Sequence, residues 1–247
     1  MEESSFIEKL LLFGLGRQEA CIYLCLLKNE SLTGYEVSKL TGISRSNVYN
    51  SLAALVDHGA AYVCEGPSTK YVAVDLQEFC DNRLRFLETQ SRELVLNAPK
   101  KQVESEGYIT IEGYGRICDK IYHMLKGTEY RVYFAAKSQF LLLWEKELTE
   151  LVKAGKKVVL ITDEEEKLFT ETEDVRQGIQ FYQTYVSEED EEPCDRQIRL
   201  IIDSAYVLTG EVAQTAQDTC LYSAQQNFVA VFKQALRNEI ELSKLKA

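Results

Sequence analysis

The segment that decides the fold runs from residue 43 to residue 60 and reads ISRSNVYNSLAALVDHGA. Its apolar side chains recur at helical spacing, with Val48, Leu52 and Leu55 on one face. Ser44 is a residue type that caps helix N-termini, and Gly59 is the type that ends helices. The spacing therefore predicts a helix from about residue 44 to residue 58, with one apolar face and otherwise polar faces.

Short helical patterns precede this segment, and a strand pair follows it. A second helix is predicted over 17–28, and Thr33 followed by Glu36 is a capping box that opens a helix running through Leu40. The runs AYVCE and KYVAV, joined by a Gly-Pro-Ser-Thr turn, read as a strand hairpin. Three helices followed by a hairpin predict a winged helix-turn-helix domain over residues 1–75.

The polar surface of this domain carries the candidate DNA contacts. Arg pairs with guanine, Asn with adenine, and hydroxyls with bases or phosphates, and the first turns of a recognition helix enter the major groove. We expect contacts from the preceding helix, the recognition helix and the hairpin tip, namely Thr33, Tyr35, Ser44, Arg45, Ser46, Asn47, Asn50 and Lys70. A polar helix surface is also compatible with a protein-interaction module, which is the alternative interpretation.

Residues 76–106 predict one long helix, opened by Asp75 and ended or kinked at Pro99. A hairpin alone is too small to cover its apolar stripe, so we expect a partner helix and hence a homodimer. The predicted dimer contacts are Leu76, Phe79, Leu84, Leu87 and Leu94.

Residues 107–247 alternate strand-like runs with amphipathic helices, which predicts an α/β domain with a mainly parallel sheet that senses an effector or mediates oligomerisation. The fold class is therefore α+β and multidomain, with a winged helix-turn-helix, a long dimerisation helix and this C-terminal domain. The predicted strands are 108–112, 130–136, 156–163, 179–185 and 197–203, with shorter ones in AYVLTGE and TCLYSA, and a helix closes the chain at 225–244.

The charge distribution limits the DNA-binding hypothesis. The net charge is −11, made up of −3 in residues 1–75, zero in 76–104 and −8 in 105–247. Few phosphates can be neutralised per chain, so DNA binding predicts a dimer, salt dependence and a locally basic face. The best alternative is a scaffold whose winged helix does not bind DNA.

Several features predict a cytoplasmic protein without a membrane partner. The N-terminus MEESSF lacks the basic region of a signal peptide, and no apolar run reaches the ~18 residues of a membrane span. The seven cysteines are odd in number and irregularly spaced, which favours reduced thiols.

The pattern Ile43-x-Arg45-x-x-Val48-Tyr49-x-x-Leu52-x-x-Leu55-x-x-x-Gly59, followed by Gly66 and Tyr71, resembles the TrmB family of transcriptional regulators. The resemblance begins at the FGL run of residues 13–15 and covers roughly the first hundred residues. It implies a homodimer that binds operator DNA, with Arg45 and Tyr49 on the recognition helix. It also implies a C-terminal domain similar to a degenerate phospholipase-D-like fold that binds a sugar or another small effector.

Catalysis and metal binding are not expected. Phospholipase-D chemistry uses a His followed two residues later by Lys, whereas the segment ending at Asp203 has no His, and only His58 and His123 occur in the chain. Cys21, Cys25 and Cys64 do not make a four-ligand zinc site. The acidic runs 163–166 and 188–192 lack calcium-loop spacing, so solvated loops are the simpler interpretation and no cofactor is predicted.

A small-molecule effector would bind at the carboxyl ends of the parallel strands. Polar groups there suit a sugar-like or anionic ligand, and the last strand and helix could add to them. The candidate residues are Lys137, Ser138, Asp163, Ser223 and Asn227. The operator, the effector, the sign of regulation and any oligomer beyond a dimer do not follow from the sequence.

Overall fold

Helix caps set the element boundaries in the N-terminal unit. In a computed structural model, which describes residues 3–99, 107–170, 172–184 and 196–246, Thr33 and Glu36 form the predicted capping box. Gly42 ends that helix with a left-handed backbone at φ 72°, and Ser44 and Asp75 cap the two following helices. The chain divides into two units, Met1–Lys101 and Gln102–Ala247.

The first unit is a winged helix-turn-helix, as predicted. A three-stranded antiparallel sheet of order β1-β3-β2 forms the wing beside the helices. The elements are α1 (Glu3–Leu12), α2 (Arg17–Leu27), β1 (Leu32–Thr33), α3 (Gly34–Thr41), α4 (Arg45–Asp57), β2 (Ala61–Cys64), β3 (Lys70–Ala73) and α5 (Leu76–Leu96).

The core of this unit includes the start of the long helix α5. Phe79 is 1% exposed, and its ring centroid lies 5.3 Å from that of Tyr23 and 6.3 Å from that of Phe13. Burial raises the pKa of Tyr23, whose hydroxyl donates a 2.9 Å hydrogen bond to the Val74 carbonyl. Leu76 also packs against this core. The prediction that Phe79 contacts a second chain is therefore wrong, because its side chain completes the core of its own winged helix. The predicted contact of Leu76, which is only partly buried, stays a prediction.

The second unit is built on a seven-stranded sheet of order β4-β10-β9-β8-β5-β6-β7. Its strands are β4 (Tyr108–Glu112), β5 (Arg131–Ala135), β6 (Lys157–Thr162), β7 (Ile179–Gln183), β8 (Gln197–Ile202), β9 (Tyr206–Glu211) and β10 (Thr219–Ser223). Its helices are α6 (Tyr114–Lys126), α7 (Ser138–Leu141), α8 (Glu145–Lys153), α9 (Glu173–Gln177) and α10 (Gln226–Lys246), with 3₁₀ turns at Leu142–Trp144 and Glu165–Lys167.

The sheet is mixed. Five strands run in one direction, and β8 and β10 run in the other. Parallel neighbours occur only on one side of the sheet, where helical crossovers join β5, β6 and β7. The other four pairs are antiparallel, and two of them, β8–β9 and β9–β10, are joined by short connections. Most strands thus run in the same direction, as expected for a mainly parallel sheet, but most neighbouring pairs are antiparallel. The predicted strand end at Tyr185 lies outside the described residues.

Helices cover both faces of the sheet. The larger apolar cluster lies between one face and α6, α7, α8 and α9, and includes Ile121, Phe134 and Leu160. The smaller cluster joins the other face to α10 through Val229 and Leu236. Among the described residues no single helix is long and apolar enough to cross a membrane, although α1 and α2 pass that test as a pair bent by 119°.

Candidate nucleic-acid interface

Helix α4 is held by its apolar face and presents its polar residues outward. Val48, Leu52 and Leu55 are fully buried in the core of the first unit. The polar positions of the first turns, Ser44, Arg45, Ser46, Asn47 and Asn50, are exposed. The Ser44 hydroxyl accepts a hydrogen bond from the Asn47 N–H at 3.4 Å, which caps the helix. The helix thus offers short polar side chains and one Arg on a rigid support, which is the chemistry of base and phosphate contact.

Two aromatic contacts join α3 to α4 at this surface. The Arg45 guanidinium carbon lies 4.6 Å from the centroid of the Tyr35 ring, which is cation–π distance. The Tyr49 ring lies against the backbone of Gly34, where a β-carbon would come within 2.6 Å of Tyr49 Cε1. Tyr35 and Tyr49 are nevertheless about half exposed, so both rings remain accessible.

The strand pair β1–β3 brings Lys70 beside the start of α3. Lys70 pairs with Thr33 on one side and with Cys64 on the other, so it lies at the base of the hairpin loop. The predicted position at the hairpin tip is therefore wrong. The Glu36 carboxylate accepts hydrogen bonds from the Thr33 N–H and hydroxyl at 2.7 and 2.8 Å. These bonds, and the nearby Lys70, lower the pKa of Glu36, which is therefore ionised at neutral pH.

The charge of this surface is balanced. Between residues 33 and 70 the cations are Lys39, Arg45 and Lys70, and the carboxylates are Glu36, Asp57 and Glu65. Counted along the sequence these charges cancel, so the expected locally basic face stays a prediction. Phosphate attraction by Lys70 has to compete with the adjacent Glu36 carboxylate.

The distal part of α5 is an apolar helix face without cover inside the first unit. Leu84 and Leu87 are 51% and 43% exposed, and Leu94 is 73% exposed. Their spacing of three and seven residues keeps them on one seam of the helix. Phe86, Val95 and Leu96 add further exposed apolar area. The predicted continuation through 100–106 lies outside the described residues.

The five candidate effector residues do not come together. Lys137, Ser138 and Asp163 follow the carboxyl ends of β5 and β6, as predicted. Ser223 ends β10, which runs antiparallel to that direction, so Ser223 and the start of α10 with Asn227 lie at the opposite end of the sheet. The prediction that the two groups converge is wrong because strand direction, which the sequence does not encode locally, places them apart.

The residues near Asp163 mainly bond to one another. Its carboxylate accepts hydrogen bonds from the Ser138 N–H at 2.8 Å, the Glu164 N–H at 3.0 Å and the Thr162 hydroxyl at 3.1 Å. Burial alone would raise the pKa of Asp163, but these bonds outweigh it and lower the pKa. Ser138 is completely buried and Ser223 donates its hydroxyl to the Gly107 carbonyl at 2.9 Å. Both serines therefore have structural roles, and neither is placed to contact a ligand.

A polar depression lies at the carboxyl end of β9. It has a volume of about 690 Å³ and is floored by the antiparallel strands β9 and β10. Its lining combines hydroxyls, one cation and two carboxylates, including Arg196, Thr209, Glu211, Thr215 and Asp218. The loop at its rim is held by Asp218, whose carboxylate accepts N–H bonds from Ala213 and Gln214, both at 2.9 Å. Sequence patterns did not indicate this depression, since it forms only where Arg196 meets the hairpin of β9 and β10.

The two histidines lie in different units of the chain. His58 caps the end of α4, with Nδ1 3.5 Å from Glu19 Oε2, and His123 is exposed on α6. Within the described ranges, no three His, Cys, Asp or Glu side chains are grouped to hold a metal ion. Asp203, the candidate phospholipase-like aspartate, binds the backbone N–H groups of residues 129–131, each at 2.8 Å. The Glu188–Glu192 run lies outside the described residues.

Residues 10–77 match the family model described as "Sugar-specific transcriptional regulator TrmB". The match begins in α1, includes α4 with Arg45 and Tyr49, and ends at the start of α5. Residues 10–77, within the N-terminal unit, are thus similar to the TrmB family. The predicted resemblance is therefore confirmed over these residues.

Similarity to other proteins extends beyond residues 10–77. The chain is 29% identical over 152 residues to the uncharacterized protein YrhO of Bacillus subtilis, a match that covers 58% of the chain and 52% of YrhO. The chain thus spans about half the length of this curated relative. The structure of TrmBL2, an archaeal chromatin protein with a novel mode of DNA binding, matches with a TM-score of 0.45 at 16% identity, covering 98% of the chain and all of TrmBL2.

The second unit has partial likeness to a smaller protein. NucT from Helicobacter pylori matches with a TM-score of 0.44 at 14% identity, covering 55% of the chain and 96% of NucT. Scores this low carry no conclusion about substrate or activity. The phospholipase-D-like expectation for residues 107–247 therefore stays a prediction.

Proposed function

We propose that the protein is a cytoplasmic, sequence-specific DNA-binding transcription regulator that acts without catalysis. The observation that supports this most is helix α4: an apolar face locked in the core and an exposed first turn carrying Arg45, within the segment that matches the TrmB family. Residues 1–75 would hold DNA, 76–106 would join two protomers, and 107–247 would respond to an effector.

The test is selection of bound duplexes from a random pool, followed by titration of the selected duplex. Arg45→Ala is expected to weaken binding to that duplex by about 1–3 kcal/mol, the value of one good base-edge pair. Arg17→Ala is the matched control, because its side chain is 71% exposed on another helix and the change in charge is the same. Enrichment of no duplex, or equal effects of the two variants, would contradict the proposal.

The proposed homodimer uses the distal face of α5. A helix with Leu84, Leu87 and Leu94 all exposed on one seam is marginal in water, and pairing with the same helix of a second copy would cover the seam. Light scattering should give about twice the 28.2 kDa chain mass, since a two-helix seam needs two copies. A clean monomer at working concentration would be evidence against this arrangement.

The proposed effector is a sugar-like or anionic molecule, in keeping with the description of the TrmB family model. The depression beside Arg196 is the better candidate site, because its volume suits a small ligand and Arg196 at its edge is exposed, whereas Ser138 is buried. A thermal-shift screen of sugars and organic anions on the full chain tests this. Arg196→Ala should abolish the thermal shift. Arg116→Ala should not, because Arg116 is exposed on α6.

The second candidate is a protein-interaction scaffold. The balanced charge around α4 and the half-exposed rings of Tyr35, Tyr49 and Tyr62 favour a protein partner over a polyanion. The duplex selection separates the two functions, since a scaffold would enrich no sequence at any ionic strength.

A further inference from the structure

The guanidinium of Arg45 is held on an aromatic platform before any ligand binds. It lies 4.6 Å from the Tyr35 ring centroid, and both side chains are exposed. Among the described residues, no carboxylate lies within ion-pairing distance of Arg45. The stack with Tyr35 therefore orients this side chain without neutralising its charge.

The platform itself is fixed to the recognition helix. Tyr35 lies in the first turn of α3, which is held by the Thr33–Glu36 capping box and by the fully buried Val37. The Gly34 backbone touches the Tyr49 ring so closely that a β-carbon would lie 2.6 Å from Tyr49 Cε1. The backbone that carries Tyr35 is therefore held against the helix that carries Arg45.

Stacking leaves the chemistry of base recognition open. An aromatic ring contacts the flat face of a guanidinium, whereas the five N–H donors point outward in the plane. The same Arg45 can hence stack on Tyr35 and donate two hydrogen bonds to a guanine edge. Ordering the side chain before binding removes a cost that a free Arg would meet on the DNA.

We infer that Tyr35 is a positioning residue that preorganises Arg45 for base recognition and thereby sets sequence specificity. The inference rests on the proposed DNA-binding function and extends it. The stack persists in the complex, so loss of the ring weakens binding to the specific duplex and leaves binding to random DNA unchanged. If the stack had to break on binding, removing the Tyr35 ring would have the opposite effect and would raise the affinity for the specific duplex.

The test is a double-mutant cycle on the full chain. The variants are Tyr35→Phe, Tyr35→Leu, Arg45→Ala and Tyr35→Leu with Arg45→Ala, and the probes are a duplex selected by the wild type and a random duplex of equal length. Tyr35→Leu should weaken the selected duplex by about two- to tenfold, the range for ordering one long side chain. Tyr35→Phe keeps the ring face and should bind as the wild type does. In the Arg45→Ala background, Tyr35→Leu should have no further effect.

Each contrary result identifies its cause. Equal losses from Tyr35→Phe and Tyr35→Leu would mean that the hydroxyl contacts DNA directly, which overturns the inference. Equal losses of affinity on Tyr35→Leu in the wild-type and the Arg45→Ala backgrounds would also overturn the inference. Thermal unfolding of each variant checks folding, and Tyr35→Gln replaces the Leu variant if that one is unstable. A wild type that enriches no duplex would overturn the proposed function and this inference together, whereas enrichment without coupling overturns the inference alone.

Discussion

Phe79→Ala separates two roles that the long helix α5 could have. The side chain is 1% exposed and contacts the rings of Tyr23 and Phe13. Phe-to-Ala changes in a core cost about 3–5 kcal/mol, since apolar contact is lost and a cavity remains. For a domain of this size, that loss lowers the midpoint of unfolding by at least about 12 °C. We expect Phe79→Ala to unfold the first unit at temperatures where the wild type is folded.

The assay is thermal unfolding of the full chain, which is monitored by circular dichroism at a wide range of protein concentrations. A core residue lowers the midpoint by the same amount at every concentration, whereas an interface residue lowers it through dissociation, and its effect depends on concentration. Leu94→Ala is the matched control because Leu94 is 73% exposed on the same helix. A midpoint for Phe79→Ala that recovers fully at high concentration would refute the assignment of Phe79 to the core.

Three further outcomes follow from other contacts. Replacing Leu87 and Leu94 by Ala should shift the chain from dimer to monomer in light scattering, with the first unit still folded; an unchanged mass would exclude this seam. Glu36→Gln keeps a capping-box side chain but removes the charge beside Lys70, so binding to any duplex should tighten by about two- to fivefold in titrations, and unchanged affinity would contradict this. Burial would raise the pKa of Asp203, but three N–H bonds lower it, so its contribution to stability is present above about pH 4 and is lost as pH falls through the folded-state pKa. Asp203→Asn should therefore unfold more easily at neutral pH in denaturant titrations and show a flatter acid limb; an unchanged acid limb would be the contrary result.

Local chemistry made most of the elements predictable. The caps at Thr33, Ser44 and Asp75 act within one helical turn, so the residues that decide each boundary are adjacent in sequence. The recognition helix was predictable for the same reason. Its apolar period places Val48 and Leu52 in the core and leaves the polar turn of Arg45 outside.

Contacts between distant segments were not predictable from these patterns. A single apolar stripe on α5 contains both Phe79, which is buried within the first unit, and Leu94, which is exposed, and periodicity cannot tell which part of a stripe its own domain covers. Ser223 and Asp163 end strands of opposite direction, and direction depends on pairing partners far along the chain. The stack of Arg45 on Tyr35 likewise needs two helices in contact.

The charge balance and the aromatic stack lead to one view of recognition. With as many carboxylates as cations between residues 33 and 70, phosphate contacts would supply little of the DNA-binding free energy of each protomer. Discrimination then depends on the few groups that reach base edges, and their effect is greatest when they are already ordered. Arg45 meets both conditions, because it is charged, exposed and held by Tyr35. A regulator of this composition would bind random DNA weakly for an electrostatic reason and would select its operator through preorganised contacts from paired protomers, so the acidity of the chain is compatible with DNA binding and favours specificity.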